Sequence, residues 1–430
     1  MKRVVVTGMG AVSAFGAGSE KLWQSLLAGK NGVRSINHLP VSGDIVSIAA
    51  TMPSMEKHIA ANKKLASIST ADPSIKKFFL AIEEAVIQSG IDFSDPNYQD
   101  TACMIADRPY SATMDVDIYL PTFAKATSNG EVDLEAWLRE LRQCPALTAR
   151  TQVDDTDSIN HFTSRYYDLT GPSLSVGTAC ASGNNAIGEA FEKIRRGRMT
   201  SAIVGGAYDF DLNAMIGFTR IGALTTNPDT DTACRPFDAE RSGFVMGGGC
   251  GVLILEELES AQKRGANILA EVTGYGSYTD GYRATDPDPE GRAACWTLAG
   301  ALDTAGLKPE QIDYINAHGT STKMNDKTET NAIKKVFGEH AYNVPVSSTK
   351  SMIGHGIMAA GALEAIACIN AMRDGVIHGT RNYQTPDPEL DLDYVAEGKR
   401  ELEVRHAMSN NFGFGGQNAT VIFSKFGESQ

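Results

Sequence analysis

The sequence lacks three features that would assign it to common protein classes. None of its apolar runs reaches the roughly 18 residues that a transmembrane helix requires. Its 39 basic residues are outnumbered by 52 acidic ones, and the net charge of −13 disfavours nucleic acid or an anionic membrane as partner. The seven cysteines are odd in number and irregularly spaced, so they predict reduced thiols in a cytoplasmic protein rather than a disulfide framework.

The composition is that of a globular chain. Its 430 residues allow two or three domain-sized units, with 42% hydrophobic and 21% charged residues. The N-terminus (MKRVVVTGMGAVSAFGAG) imitates a signal peptide, but it is rich in glycine and has no A-x-A cleavage site. We expect a buried strand followed by a turn there.

Two segments of the chain repeat. The motif VTGMG at residues 6–10 returns as VTGYG at 272–276, and each predicts the first strand of an α/β unit ending in a glycine turn. Further along each half, a strand leads through small residues into an Ala- and Gly-rich helix, at 174–180 and at 344–350. This order predicts duplicated halves, residues 1–259 and 260–430, whose helix N-termini face one cleft. The first half carries an insertion across roughly 95–170, and no Pro/Gly/Ser linker separates the halves, which predicts one shared core.

Cys180 is the candidate nucleophile. It lies in GTACASG, where a predicted strand turns into a helix. A helix N-terminus stabilises a thiolate, so we expect a pKa below the ordinary value of about 8.5. A buried structural cysteine is the alternative, and packing is the role assigned to Cys250, in a predicted hairpin strand, and Cys368, in the Ala-rich helix.

Two histidines followed by glycine complete the candidate site. His318 lies in DYINAHGTST and His355 in SSTKSMIGHG, each at the end of a predicted strand or helix. Zinc ligation by these three residues is disfavoured, because 138 and 37 positions separate them and no C-x-x-C or H-x-x-x-H pairing is present. A Cys-His hydrolase needs only one imidazole base. Two neutral imidazoles suit stabilisation of an enolate oxygen, to which their N–H groups can donate.

Several longer motifs, in order, carry a family resemblance. They are Gly171-Pro172, GTACASG, RPFD at 235–238, GFVMGGG, NAHGTST, VSSTKSMIGH and NNFGFGGQN. Over nearly its whole length the chain resembles the elongating β-ketoacyl-acyl-carrier-protein synthases of the thiolase superfamily. The resemblance implies an α/β thiolase-like fold, with duplicated halves packed as α-β-α-β-α layers. It also implies decarboxylative condensation of malonyl-carrier protein with a cysteine-bound acyl chain, without cofactor or metal.

The resemblance implies roles for individual residues. Cys180 matches the nucleophile, and His318 and His355 match the decarboxylation pair. The backbone N–H groups of Cys180 and Phe414 match the oxyanion hole, and the Phe414 ring matches the gate for malonyl access. The supporting positions are Lys350 and Glu364 near the second histidine, and Asp326 and Glu329, which order the loop of the first.

The same residues separate neighbouring families. Degradative thiolases have a second cysteine late in the chain, and residues 409–418 contain none. Initiating synthases have Asn at the position of His355, and the inactive chain-length factors lack the nucleophile at Cys180. A scaffold subunit that binds a carrier without catalysis is the remaining non-enzymatic hypothesis.

Departures from the family pattern bear on the pathway. The segment 153–160 (VDDTDSIN) is unusually polar, and His378-Gly379 replaces two prolines of the family. Residues 324–330 and 289–292 resemble ketosynthases of type II polyketide systems. We therefore predict a type II polyketide or polyene ketosynthase, with a housekeeping fatty-acid enzyme as the alternative. The predicted assembly is a homodimer, or a heterodimer with a chain-length-factor-like homologue.

The predicted protein partner is an acyl carrier protein bearing phosphopantetheine-linked acyl and malonyl groups. Because carriers and this chain are both acidic, docking requires a local basic cluster. The candidates are Lys63-Lys64, Lys76-Lys77, and the group of Arg195, Arg196 and Arg198.

Overall fold

The computed structural model describes residues 1–36, 46–68, 73–107, 116–144 and 159–427. The strands are β1 (Val4–Ser13), β2 (Gly16–Ala17), β3 (Arg34–Ser35), β4 (Ile48–Ala49), β5 (Ala102–Ala106), β6 (Thr127–Ser128), β7 (Glu131–Val132), β8 (Ser201–Tyr208), β9 (Gly249–Glu257), β10 (Ala270–Thr279), β11 (Tyr314–Asn316), β12 (Val346–Ser347), β13 (Val376–Ile377), β14 (Arg400–Glu401), β15 (His406–Gly413) and β16 (Gln417–Ser424). The helices are α1 (Ser19–Leu27), α2 (Glu56–Ala61), α3 (Lys63–Ser67), α4 (Pro73–Ser89), α5 (Val116–Lys125), α6 (Leu134–Arg142), α7 (Ile159–Tyr167), α8 (Ser182–Arg195), α9 (Leu212–Arg220), α10 (Leu258–Lys263), α11 (Arg292–Ala305), α12 (Lys323–Phe337), α13 (Lys350–Ile353) and α14 (Ala360–Asp374).

One mixed sheet contains strands from both halves. Its order is β12-β11-β15-β16-β10-β1-β9-β8-β5, with β2 beside β1. At its centre β1 pairs antiparallel with β10, with Val4 opposite Val272. Outward from this pair, β1-β9-β8-β5 repeats the directions of β10-β16-β15-β11. The strand order supports the duplication, while the division at residue 259 stays a prediction.

The helices form layers around these strands. The mostly buried α8 and α14 pack against each other and against strands of both halves, so they lie between the halves. Helix α4 covers β1 and β9 on one outer face, and α11 covers β10 and β16 on the other. This is the layered α/β arrangement that the resemblance implies.

The repeated glycine motifs do not end their strands. Both β1 and β10 run through them, with a register shift at Thr7 in one copy and Thr273 in the other. A side chain at Gly10 would meet the Ala81 carbonyl oxygen at 2.0 Å, and one at Gly276 would meet that of Thr297 at 2.2 Å. The predicted glycine turns are therefore wrong, because these glycines let α4 and α11 lie directly on the strands.

The first-half strand predicted at residues 174–180 is also absent. The single bridge nearby precedes the segment and joins Ser173 to Cys103 of β5. At the next position along β5, the Asn160 side chain accepts from the Ile105 N–H at 2.7 Å and donates to its carbonyl at 2.8 Å. A side chain thus occupies the backbone groups that a continuing strand would use.

The N-terminus forms β1, which is buried along its whole length, as the strand hypothesis predicted. Within the described ranges, no helix is long and apolar enough to cross a membrane. Residues 153–158 of the polar segment lie outside the described residues, as do 145–150.

Candidate active site

Cys180 lies in a single 3₁₀ turn, Ala179–Ala181, that leads directly into α8. The preceding Ala179 has φ of 49°, in the left-handed region that residues other than glycine rarely adopt. The Thr178 N–H donates to the Ser182 hydroxyl at 2.8 Å, and that hydroxyl donates to the Ala179 carbonyl at 2.6 Å. These bonds hold the turn so that the thiol stands at the N-terminus of α8, as the sequence predicted.

His355 contacts the cysteine directly, with its Nε2 atom 3.0 Å from the Cys180 sulfur. The backbone N–H of Ile357 donates to His355 Nδ1 at 3.2 Å. Since Nδ1 accepts a hydrogen bond, the proton of the neutral ring is on Nε2. His355 therefore presents an N–H donor to the sulfur and to any oxygen that replaces it.

His318 lies across the cavity from His355, with ring centroids 5.2 Å apart. Its loop is held by two buried carboxylates of α12. Glu329 accepts the backbone N–H groups of His318 and Gly319, both at 2.8 Å, and Asp326 accepts that of Thr320 at 3.0 Å. The geometry matches the loop-ordering role expected of Asp326 and Glu329.

Lys350 and Glu364 form a buried ion pair, with each residue about 1% exposed. The second Glu364 oxygen accepts from Asn411 Nδ2 at 2.6 Å, while the neighbouring Asn410 donates to Glu329 at 3.3 Å. No role was predicted for these two asparagines of β15. The sequence did indicate one, since polar residues in a buried strand need polar partners.

Burial dominates the titration of the site. It raises the pKa of the Cys180 thiol to about 11, although the Lys350 charge and the N–H groups of Phe414 and Cys180 lower it. The prediction of a pKa below the ordinary value is therefore wrong, because desolvation outweighs the helix N-terminus. Burial also lowers the pKa values of His318 and His355 well below the ordinary range, assisted by Lys350, so both rings are neutral at pH 7.

Phe414 lies in a short turn after β15. It is half-buried, and its ring is 6.0 Å from that of Phe218. The turn is tied to a neighbouring loop, since the Gly415 N–H donates to the Ala284 carbonyl at 2.7 Å. The backbone N–H groups of Phe414 and Cys180 both lower the pKa of the Cys180 thiol, and their assignment as the oxyanion hole stays a prediction.

A cavity of about 320 Å³ opens onto the three side chains. Its lining is both apolar and polar. The apolar side chains include Phe218, Ile221, Ala223, Phe244, Met324, Ile357, Phe412 and Phe414, and the polar ones include Asp280, Thr320, Thr322, Lys323 and Asn325. Such a cavity accommodates a ligand that has apolar and polar parts.

Cys180, His318 and His355 are far apart in the sequence but close together in the fold. Donor atoms of Cys180, His318 and His355 all lie within 4.8 Å of one another. The tautomer of His355 is the better discriminator. A protonated Nε2 has no free lone pair for a metal, and it suits donation to an anion.

The remaining cysteines are not all buried. Cys250 lies in β9 and Cys368 in α14, both buried in accord with a packing role. Cys103 and Cys234 are buried as well, whereas Cys144 and Cys295 are half-buried and therefore more accessible to a thiol reagent.

The candidate docking clusters are already engaged to different degrees. Lys77 forms an ion pair with Asp209 at 2.8 Å, and Arg195 and Arg196 pair with Glu192. Lys64 is exposed and donates to the Tyr166 carbonyl at 2.7 Å. Which cluster binds a carrier stays a prediction.

Comparisons with known proteins agree over the whole chain. Residues 1–261 match the family model of the β-ketoacyl synthase N-terminal domain, and residues 269–384 match that of the C-terminal domain. The 3-oxoacyl-[acyl-carrier-protein] synthase 2 of Staphylococcus aureus is 38% identical over 428 residues, which cover 99% of each chain.

Two solved structures are similar in fold and sequence. The ishigamide ketosynthase/chain length factor structure has a TM-score of 0.85 at 32% identity, covering 99% of this chain and 100% of that one. A type II PKS acyl-carrier protein in complex with its ketosynthase bound to the hexaketide has a TM-score of 0.81 at 30% identity, covering 99% of both chains.

Proposed function

The chain belongs to the β-ketoacyl synthase family, and from this membership we propose how its own residues carry out decarboxylative condensation. The reaction joins an acyl group held on Cys180 to the carbanion derived from malonyl-carrier protein. One observation carries the assignment of residues. His355 presents an Nε2–H group 3.0 Å from the Cys180 sulfur, beside a second neutral imidazole, and all three side chains line one cavity.

Acyl transfer is the first half-reaction. The Cys180 thiolate attacks the acyl thioester of the carrier, and the N–H groups of Cys180 and Phe414 stabilise the oxyanion. The carbonyl re-forms as the carrier thiolate leaves and takes up a proton. Because burial raises the thiol pKa to about 11, the thiolate depends on Lys350 and on these hydrogen-bond donors.

Condensation is the second half-reaction. The bond between the malonyl methylene and its carboxylate breaks, CO₂ leaves, and the electron pair moves onto the thioester oxygen as an enolate. His318 and His355 donate to that oxygen, which two neutral imidazoles can do without a change of protonation. The carbanion then attacks the Cys180 thioester, the carbon–sulfur bond breaks, and the β-ketoacyl product leaves on the carrier.

The pathway proposal is a type II polyketide or polyene system, acting in the cytoplasm. It is supported by the similarity to the ishigamide ketosynthase/chain length factor and to the ketosynthase of a type II PKS. Met324 and Asn325, in the segment that resembles type II polyketide ketosynthases, line the cavity. The 38% identity to a 3-oxoacyl-[acyl-carrier-protein] synthase 2 favours the alternative, a housekeeping fatty-acid enzyme. The proposed partners are an acyl carrier protein and either a second copy or a chain-length-factor-like homologue.

Intact mass spectrometry tests the assignment of residues. Incubation with an acyl-carrier protein should add one acyl mass to the wild type and to His318→Ala, and none to Cys180→Ala. Release of CO₂ from malonyl-carrier protein should fall by about 10²–10³ in His318→Ala and His355→Ala, as for the loss of one oxyanion donor. An acylated Cys180→Ala protein, or unchanged CO₂ release in both histidine variants, would contradict the assignment.

Expressing the chain alone, and then together with a chain-length-factor-like homologue, distinguishes the fatty-acid from the polyketide proposal. A stable homodimer that efficiently extends saturated acyl-carrier proteins of increasing length would favour the fatty-acid enzyme. Activity that appears only on co-expression with a cysteine-less homologue would favour the polyketide system.

A further inference from the structure

A third histidine followed by glycine lies next to the site. His378 comes directly after β13 and is 1% exposed. It stands where the family has a proline, so the family motifs imply no role for it. Its ring contacts the side chains at the ends of β11 and β12. These contacts are Thr349 at 2.9 Å, Ser347 at 3.3 Å, and Tyr314 and Asn316 at 3.4 Å.

The backbone fixes the direction of these bonds. His378 Nδ1 lies 3.0 Å from the carbonyl oxygen of Gly379, which can only accept. The ring proton is therefore on Nδ1, and Nε2 is an acceptor. The Thr349 hydroxyl donates to Nε2 and in turn accepts from Asn316 Nδ2 at 2.8 Å. Burial lowers the pKa of His378 to about 4, so the acceptor is present throughout the neutral range.

The two residues so joined stand beside the catalytic groups. Asn316 precedes His318 by two positions, and Thr349 immediately precedes Lys350. The strands themselves share a short parallel pairing, Ile315 with Val346 and Asn316 with Ser347. Beyond this ladder, the Ala317 N–H donates to the Ser347 carbonyl at 2.9 Å. The Ser348 hydroxyl donates to the Gly319 carbonyl at 2.7 Å, and the Asn316–Thr349 bond adds a further link between the two strand ends.

We propose that His378 is a positioning residue for decarboxylation, which accepts from Thr349 and thereby holds the loop of His318 in place through the Thr349–Asn316 hydrogen bond. The inference rests on the proposed function, because it assigns His378 to the half-reaction that uses His318. Cys180 stands in the turn before α8, and its proposed oxyanion donors are its own N–H group and that of Phe414. Lys350 is held separately, by its ion pair with Glu364. Acyl transfer should therefore not depend on His378.

Two matched pairs of variants test this inference. His378→Gln keeps an acceptor at the end of a similar side chain, whereas His378→Met has the same length with only a weak sulfur acceptor. Thr349→Ser keeps the hydroxyl, and the nearly isosteric Thr349→Val removes it. The second pair covers the case in which the histidine variants do not fold.

We expect His378→Met and Thr349→Val to release CO₂ from malonyl-carrier protein about ten- to a hundred-fold more slowly, since small displacements of a reacting group cost rates of this size. Their acylation at Cys180 should stay within about twofold of wild type. His378→Gln and Thr349→Ser should retain most of both activities.

Three results would overturn the inference. One is wild-type decarboxylation in folded His378→Met or Thr349→Val. Another is a result in which both variants of a pair lose acyl transfer and CO₂ release to the same extent and have equally lowered melting temperatures. That result would show a packing role alone. A wild-type protein that takes up acyl groups but releases no CO₂ would contradict the proposed function itself, and with it this inference.

Discussion

At the scale of single residues, backbone contacts decide what each buried histidine can do. His355 receives an N–H group at Nδ1, so its Nε2 donates toward the reacting atoms. His378 meets a carbonyl at Nδ1, so its Nε2 accepts. Because burial keeps both rings neutral, these tautomers persist at neutral pH. Identical side chains therefore have opposite hydrogen-bonding roles about the same site.

The titration of Cys180 gives a residue-scale prediction. In a Cys144→Ser/Cys295→Ser background, limiting iodoacetamide should modify Cys180 first, because Cys180 lines the cavity whereas the other four cysteines are buried away from it. With a pKa of about 11, the thiolate fraction and the alkylation rate should rise about tenfold per pH unit between pH 7 and 9. Peptide mass mapping at each pH measures both.

A rate that is constant from pH 7 to 9 would contradict the raised pKa. It would mean that the helix N-terminus and Lys350 outweigh desolvation. Equal labelling of all five remaining cysteines would instead contradict the assignment of Cys180 as the reactive thiol.

At the scale of elements, close approach of helices and loops sets the site. Gly183 of α8 lies against α14, where an added side chain would meet the Ala362 backbone nitrogen at 2.9 Å. The helices that carry Cys180 and Glu364 can therefore pack with their backbones nearly in contact. Lys350, in the short α13, forms an ion pair with Glu364 in α14. This pair fixes the turn before His355 to the central helix layer.

The Lys350–Glu364 pair should behave as a buried ion pair. Lys350→Met leaves the Glu364 carboxylate buried without its cation, which should lower the free energy of unfolding by about 3–5 kcal/mol. Adding Glu364→Gln removes the charge but keeps an acceptor for Asn411, so the double variant should recover more than half of that loss. Urea unfolding of the four proteins measures the coupling. A stability loss in the double variant equal to the sum of the losses in the two single variants would show that the pair does not act as a unit.

Two neighbouring glycines separate backbone strain from crowding in the Phe414 turn. Gly415 and Gly416 have φ of 77° and 75°. A side chain at Gly415 meets nothing within 4 Å, whereas one at Gly416 would lie 2.8 Å from Asp280 Cβ. Gly415→Ala should cost about 1 kcal/mol from the left-handed conformation alone, and Gly416→Ala clearly more. Thermal unfolding with acyl-transfer assays measures this, and equal losses in both variants would contradict the crowding argument.

At the scale of the whole molecule, the two halves are one structure. The β1–β10 pairing joins their strands, and α8 and α14 each pack against strands of both halves. Cys180 comes from the first half and His318 and His355 from the second, so the site exists only where the halves meet. Hydrogen bonds inside the second half, through Glu329, Glu364 and Asn411, then set the histidine loops.

The buried histidines predict how global stability depends on pH. Their folded pKa values lie below the unfolded value of about 6.5, so below that pH the unfolded chain binds protons that the folded protein does not. Stability should therefore fall as the pH drops below about 6.5. Glu329 opposes this trend, because burial raises its pKa to about 7 and the folded protein takes up that proton first.

His378→Gln isolates one histidine. Between pH 7.5 and 5.0 this variant should lose about 2 kcal/mol less stability than the wild type, as follows from a folded pKa of about 4. Urea unfolding at both pH values provides the measurement. Parallel losses in the two proteins would show that His378 titrates alike in the folded and unfolded states.

Motifs in the sequence were enough to identify the reaction and the residues that perform it. Cys180, His318 and His355 stand in motifs whose local order identifies them, and the repeated strand–helix order predicted two similar halves. The thiol pKa required the folded structure, because desolvation depends on what covers a group. The tertiary structure also decided the roles of Asn411 and His378, whose partners lie 47 and 29 positions away in the chain. Local patterns report which groups a chain carries, whereas burial and long-range hydrogen bonds set their protonation and direction.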